Sequence, residues 1–527
     1  MSERKAGRPE GARASSWRRT VLLAALAGCS GATQEAAPTG ELRFVRGGVL
    51  HGDVLHGGVL HGGVLQGGVF TARAWAPGET IDGVVAPLLP ECVPMFHVEL
   101  EDMDRLASMG APAPAAALAF SPDGAWLAIG SDAGSLRVVD GAGTVRAQKK
   151  LAEGAVKQVA WSPDGATLYV GEQAPDAFLY ALDAVTLAPR WTVRLADDLE
   201  SSPLPPADDV YGLYSLPAVY ALRVLPDGDL LVAGSHGWTP ADGVRKNRGR
   251  VYRYGPDGTR KAAFPAAGPA DAVLLHPAVG GGRALVGVSR SADGEAPADL
   301  PVGGVVALDL TTLAPVWEAR FPILAPYFTA VFLWEAAGIS STLAFAGLGD
   351  GRAFLLGPDG AVEHTLTPGV PVLTQGIPIA AGVGFGTVVD DAAYFLTTST
   401  NIPWGSADPM ARPPAAHPAQ HTLHAVGADG VDRWAWSGEH AVQGVVPSPD
   451  GATLLVAAAE RATDDRRDLY GALLFDRATG ALVTTCSTEG PAYFRPVWAP
   501  DGRVAVTESA FAAEGSVHGA YRVTVFR

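Results

Sequence analysis

The sequence predicts an all-β chain folded as a single β-propeller, and three observations carry that reading. Ser-Pro-Asp-Gly or a near relative stands at Ser121–Gly124, Ser162–Gly165, Leu225–Gly228, Ser448–Gly451 and Ala499–Gly502, each time between two apolar runs. A second, Asp-centred turn recurs out of phase with the first. The chain then ends one strand short of a complete last repeat. Internal repeats at this spacing belong to propellers or solenoids.

Within a repeat, the first turn joins strands A and B. Ala116–Phe120 and Ala125–Ile129 flank the first copy. Pro presets φ, Asp caps the turn, and Gly takes the positive φ. The second turn joins strands C and D. Ala181-Leu182-Asp183-Ala184-Val185-Thr186-Leu187-Ala188-Pro189-Arg190-Trp191 matches Ala307-Leu308-Asp309-Leu310-Thr311-Thr312-Leu313-Ala314-Pro315-Val316-Trp317, and Phe475–Gly480 is a third version. Asp140, Gly255–Gly258, Gly357–Gly360 and Gly427–Gly430 fill the same role, making seven C–D turns. Degenerate A–B turns near Gly280–Gly282, Ala337–Ile339 and Ala381–Gly384 bring the A–B count to eight. That predicts eight four-stranded blades, or seven if the degenerate units are discounted. Tyr521–Phe526 is then a last strand C without its D. Met95–Leu100, just before the first A strand, is expected to supply it and leave few open sheet edges. The propeller is expected over 95–527, after a linker at 71–94.

Composition agrees. The chain has 527 residues, 48% of them hydrophobic, with 64 Gly and 41 Pro, as many short strands joined by turns require. Net charge is −16. The first nineteen residues hold six basic groups and two acids, a net of +4, so their removal leaves −20. Such a surface opposes phosphate backbones and excludes nucleic acid as a partner.

The first thirty residues read as an address. Trp17-Arg18-Arg19-Thr20 precedes a short apolar run, Val21–Gly28. A basic leader with such a core is an export signal, far short of the roughly 20 residues that span a bilayer. Leu26-Ala27-Gly28-Cys29 resembles the lipobox of bacterial lipoproteins. That resemblance implies cleavage after residue 28 and a lipid-modified Cys29. Several acyl chains give a stable anchor where one does not. Ser30 at the next position implies, by the same resemblance, outer-membrane sorting. The pair Arg18-Arg19 weakly resembles a twin-arginine signal. A plain secretory signal with a chance Cys is the alternative.

Residues 29–44 follow as a small, polar tether. A five-residue Gly-Val-Leu-His repeat occupies 45–70, with His51, His56 and His61 in register. An odd period swaps sheet faces at every repeat, so it makes no ordinary strand. The repeat loosely resembles pentapeptide repeats without their usual core residues. Three His make a weak zinc or copper candidate; the alternative is a surface repeat that binds nothing.

From residue 96 to 527 the turn motifs resemble WD40-like and quinoprotein-like (YVTN/PQQ-type) propellers. The resemblance implies that Trp191 and Trp317 pack between blades. It does not imply a task, because such folds host many. A–B and C–D turns belong on one face and B–C and D–A connections on the other. Every long insert falls in the second set: Leu195–Leu216, Ser235–Arg250, Ser289–Gly304, Ser399–Gln420, Glu460–Gly471 and Ala510–Gly519. Variable loops on a rigid scaffold are where binding residues sit. The candidates are His236, Trp238, Arg245, Lys246, Arg248, Trp404, Arg412, Arg466 and Arg467, rich in the Trp and Arg that anchor interfaces. The competing reading pairs these charges with each other and packs each Trp on its own loop.

No Gly-x-Ser-x-Gly, His-Glu-x-x-His or P-loop occurs, so no catalytic residue is assigned. Cys92 and Cys486 form a candidate disulfide of an exported protein. Strand directions place them near opposite faces, about 20 Å apart, against the ~7 Å a bridge allows between Cα atoms, so the bridge forms only if the segment before Pro94 doubles back. The sequence therefore points to a lipid-anchored, monomeric envelope scaffold without a cofactor, binding an envelope protein or, second, a glycan. The rivals are a periplasmic quinoprotein-like oxidoreductase and a metal-binding surface protein using the His repeat.

Overall fold

The computed structural model describes residues 92–103, 116–206, 212–240, 246–289, 303–321, 335–401, 413–438, 441–459, 470–513 and 516–527, with two short strands, Thr80–Ile81 and Val84–Val85. Cys29, the tether and the His repeat lie outside them.

In blade one, strands A (Ala116–Phe120), B (Trp126–Ser131), C (Ser135–Asp140) and D (Val145–Lys150) pair antiparallel in that order. Strand A begins every blade after a D–A connection. The same meander repeats at 155–194, 218–264, 273–320, 335–366, 377–437 and 441–487. In the last set A is Ala492–Trp498, B is Val504–Glu508 and C is Arg522–Phe526, and D is Pro94–Glu99 from the other end of the chain. The described strands thus form eight four-stranded sets.

Local chemistry explains the turns. The Ser121 hydroxyl donates to the Asp123 carboxylate (2.6 Å) and accepts from the Trp126 amide (2.9 Å). Ser162 with Asp164 and Ser448 with Asp450 repeat this arrangement. In the C–D turns, Asp183, Asp309 and Asp476 each accept from the hydroxyl of the Thr three residues on. These bonds to the charged form hold the acids below the usual carboxylate range. Leu187 and Leu313 adopt positive φ, 53° each, where the third copy has Gly480. Both side chains are buried, and that burial offsets a backbone cost of about 1–2 kcal/mol.

Eight apolar clusters lie between successive blades. The cluster between blades one and two contains Leu136, Val138, Val156 and Leu168. The one that closes the ring joins Leu127 and Ile129 of blade one to Ala505, Val523 and Val525 of blade eight, with Val98 and Leu100 from the closing segment. Glu508, fully buried, accepts from Thr524 (2.7 Å) and from Arg522, and His97 Nδ1 lies 2.9 Å from the Thr524 hydroxyl. Polar bonds therefore bind the two chain ends as well as apolar packing.

An aromatic side chain on strand D rests on the next blade's C–D turn. The Trp191 Nε1 donates to the Pro256 carbonyl (2.8 Å), and that of Trp434 donates to Arg477 (3.0 Å). Trp317 sits over Gly360, its Nε1 buried without a partner. Phe96 covers Gly143, joining blade eight to blade one. Trp191 and Trp317 are half-buried between blades rather than fully internal.

The candidate disulfide forms, and two expectations need correction. Cys92 and Cys486 are bridged, with Cα atoms 4.7 Å apart. The segment before Pro94 crosses sideways between blades instead of running along one. Val93 exchanges both backbone bonds with Arg527, while the Cys92 amide donates to the Thr485 carbonyl of blade seven. Ala381–Gly384 is no turn. It lies inside the 13-residue strand Ile377–Val389, whose register shifts bracket Gly382 and Gly384, so these glycines mark bulges. Much of Ser235–Arg250 is ladder: strand B of blade three runs Leu230–Trp238 and strand C runs Lys246–Tyr254.

Candidate functional site

The meander fixes which end of the blades carries the long connections. Between described strands, A–B and C–D turns are short throughout, whereas B–C and D–A connections include 195–217, 239–245, 290–302, 402–421 and 460–470. The long-loop face holds the candidate site.

On blade three the extended hairpin pairs His236 with Arg248 and Trp238 with Lys246. His236 is buried. Its Nδ1 donates to the Leu199 carbonyl (2.9 Å), and its Nε2 accepts from the Ser202 hydroxyl (3.0 Å). Burial holds its pKa below the usual value, so the ring is neutral at pH 7. Trp238 stacks on that ring at 4.1 Å and 15°. Arg248 pairs with Glu200 at 3.3 Å, and Arg250 with Asp198 at 2.9 Å. His236 and Arg248 are thus engaged by the 195–217 connection that precedes their blade, and the half-buried Trp238 packs on the His236 ring. Lys246 is exposed. Arg245, Trp404, Arg412, Arg466 and Arg467 lie outside the described residues.

Blade five to six carries a different feature. Val372–Thr374 pairs with Ile377–Ile379 across a Gln375-Gly376 turn, both turn residues at positive φ. This hairpin stands in a D–A connection. Val372 (38%), Leu373 (75%) and Ile377 (38%) are exposed. The remaining large exposed apolar residues of the described set are more scattered, the ordinary condition of a protein surface. From Thr365 to Val389 no residue is charged, in a chain of net charge −16. Among the described residues, strand Val372–Thr374 pairs on one side only.

The inner strands hold a second set that sequence reasoning missed. Strand A is bulged in blades two, three, four, six, seven and eight, with register shifts around Lys157, Tyr220, His276, Gly382 and Gly384, Gly444, and Arg495. Lys157 and Tyr220 lie in the half nearer the long-loop end, and the other shifts lie at or near mid-strand. A bulge re-aims side chains and frees backbone groups. Here Gln158 donates to the Tyr220 carbonyl (3.0 Å), and Arg223 to that of Pro277 (2.9 Å), stitching neighbouring inner strands together. Lys157 pairs with Asp132 at 3.2 Å, and the Tyr220 and His276 rings meet edge-on at 6.4 Å. Charged or ring residues inside otherwise apolar A strands were the available signal.

Among the described residues no group of His, Cys, Asp and Glu could hold a metal ion. No described helix is long and apolar enough to cross a membrane.

The WD domain, G-beta repeat family matches residues 109–140, the first three strands of blade one with the residues before them. A quinohemoprotein alcohol dehydrogenase from Comamonas testosteroni is similar in structure, with TM-score 0.53 and 14% identity over 83% of this chain and 76% of that one. The chain has a β-propeller fold. BamB from Moraxella catarrhalis (TM-score 0.46, 15% identity, 83% of this chain and 99% of that one) and the C-terminal WD40 domain of Sif2 (0.47, 10%, 83% and 99%) are also similar. At these identities the likeness concerns the propeller fold alone. No curated protein matches the sequence.

Proposed function

We propose that this propeller is a non-enzymatic binding scaffold of the bacterial cell envelope, lipid-anchored through Cys29, that holds a protein partner on its long-loop face. The observation that carries the reading is the uncharged hairpin at Val372–Ile377. Three large apolar side chains are exposed within six residues, beside a strand edge unpaired among the described residues. Exposed apolar clusters of this kind mark interaction sites, and an open edge accepts an extended segment through main-chain bonds. The lipobox and the tether support placement at a membrane surface.

The test is substitution at the tip. Leu373→Asp places a charge where a partner's apolar surface would sit and leaves the buried core untouched. The variant is expected to fold normally and to lose a partner that crosslinks to the native protein in intact envelopes. A native crosslinked partner that stays with Leu373→Asp overturns the assignment of this hairpin.

A further inference from the structure

The hairpin at Val372–Ile377 is too small to hold its own orientation. Its two arms meet over three residue pairs, and Pro378 supplies no amide to the ladder. A two-stranded hairpin of this size is marginal in water. The second arm runs on into the strand Ile377–Val389 and is fixed by blade six. The first arm, Val372–Thr374, has no such continuation, so its orientation depends on the residues just before it.

Two contacts secure those residues. Gly369 donates to the Gly351 carbonyl (2.9 Å) and accepts from the Ala381 amide (2.9 Å). Val370 then offers its carbonyl to His417 Nε2 at 3.1 Å. His417 belongs to another connection, between strands B and C of blade six, and is buried, only 4% exposed. The His417 amide donates to the Thr400 hydroxyl (2.6 Å), which donates in turn to the Gln420 side chain. The Ala419 amide donates to Nδ1 (3.1 Å). That network assigns the ring proton to Nε2, which donates to Val370.

This pair of ring bonds needs a neutral imidazole. A second proton, on Nδ1, would face the Ala419 N–H, donor against donor. No acid is at hand to receive it: Thr365–Val389, Ala392–Asn401 and 413–421 contain no Asp, Glu, Lys or Arg. The His421 Nε2 lies 3.1 Å from the Ser399 hydroxyl, and the His424 Nε2 3.3 Å from that of Thr397. The turn abutting Val370 holds Asp350 and Arg352, which neutralise each other at 2.6 Å. Burial outweighs the help of the Val370 carbonyl and holds the His417 pKa below its usual 6.5. The ring's contribution is therefore complete above pH 6.5 and lost as pH falls through the lower, folded value.

We propose that His417 is an acid-sensitive latch on the docking hairpin: its neutral ring holds the first arm through the Val370 carbonyl, and protonation of the ring lets that arm go. The inference rests on the reading of this hairpin as the docking site, and adds how the site is held and released. A charged ring gives up the Ala419 bond, leaves its buried position for water, and takes the Val370 bond with it. His417 is a positioning residue, acting on the partner through the hairpin.

Hydrogen exchange of residues 370–379 is measured on the isolated full-length protein from pH 7.5 to pH 4.5, native and with His417→Gln or His417→Leu. Gln keeps an N–H donor for Val370 and takes up no proton. Leu fills space and donates nothing. At pH 7.5 the native and Gln chains are expected to exchange alike and the Leu chain about tenfold faster, the scale of one lost hydrogen bond. As pH falls, the native chain should exchange faster than Gln at the same pH and approach Leu, while the blade strands stay protected. A Leu chain that exchanges like the native one overturns the proposal. So do native and Gln rates that stay together down to pH 4.5. Should His417→Leu fail to fold, the native and Gln chains still decide the matter. Docking is scored separately, by crosslinking from Leu373. A partner still held by a chain whose hairpin exchanges faster overturns the docking reading and not the latch.

Discussion

Glu172 offers the sharpest test of the packing. It lies in strand B of blade two, 3% exposed. One carboxylate oxygen accepts from the Phe178 amide (2.9 Å) and the other from the Tyr180 hydroxyl (3.1 Å). No cation pairs with it among the described residues. Desolvation, which outweighs those two bonds, raises its pKa from 4.5 to about 7. A folded-state pKa above the unfolded one means the folded chain binds the proton more tightly. The associated stability is complete below pH 4.5 and is lost as pH rises through about 7. At about 1.4 kcal/mol per pH unit, the full loss is on the order of 3 kcal/mol. Glu172→Gln keeps an acceptor for Phe178 and cannot ionise. In urea unfolding followed at pH 5 and pH 8.5, the variant should gain on the native protein by about 2.5 kcal/mol across that interval. Turn acids titrate alike in both proteins and cancel. A difference independent of pH would refute the reasoning.

Two further expectations follow from the turns. Asp123, Asp164, Asp309 and Asp450 are held below the usual carboxylate range by the hydroxyl and amide bonds they accept. Their contribution is present above about pH 4 and lost as pH falls below it, so urea midpoints should drop in acid, and less steeply once Asp309→Asn is introduced. Gly480, at φ +70°, faces Trp434, whose Cδ2 would lie 2.4 Å from an added Cβ. Gly502, at φ +87°, has no heavy atom within 4 Å of that position. Gly480→Ala should therefore cost about 3 kcal/mol and Gly502→Ala about 1 kcal/mol in the same assay. Equal costs would contradict the docking of Trp434 on that turn.

What the sequence made legible was local or countable. The Ser-x-Asp and Asp-x-x-Thr turns satisfy their bonds within a few residues, so their spelling recurs along the chain. The closing strand was found by arithmetic, as a last strand C lacking its D. Features that depend on neighbouring blades were not legible. The inner-strand bulges at Lys157, Tyr220 and His276 leave no turn residues behind. Gly382 and Gly384 read as a turn because glycine serves bulges and turns alike. The strand-length argument weighed against the disulfide because it measures distance along a blade, whereas Cys92 reaches across to Thr485 of the neighbouring blade. At the candidate site, Trp238 and Arg248 have the composition of interface anchors, but composition does not reveal that Leu199, Ser202 and Glu200 engage that hairpin. The hairpin at Val372–Ile377 carries no charge and no motif, and its exposure emerges only once the D–A connection is seen to leave the blade.

The most direct measurement of the central claim is a site-by-site photocrosslinking scan in living cells. A photoreactive residue is placed in turn at Lys246, Leu373 and Ile377 on the long-loop face, and at Val185, Asp359 and Val431 on the short-turn face. All six positions are exposed. The account predicts one discrete adduct, shared by the first three positions and missing from the last three. Adducts confined to the short-turn face, or spread equally over both, would contradict it.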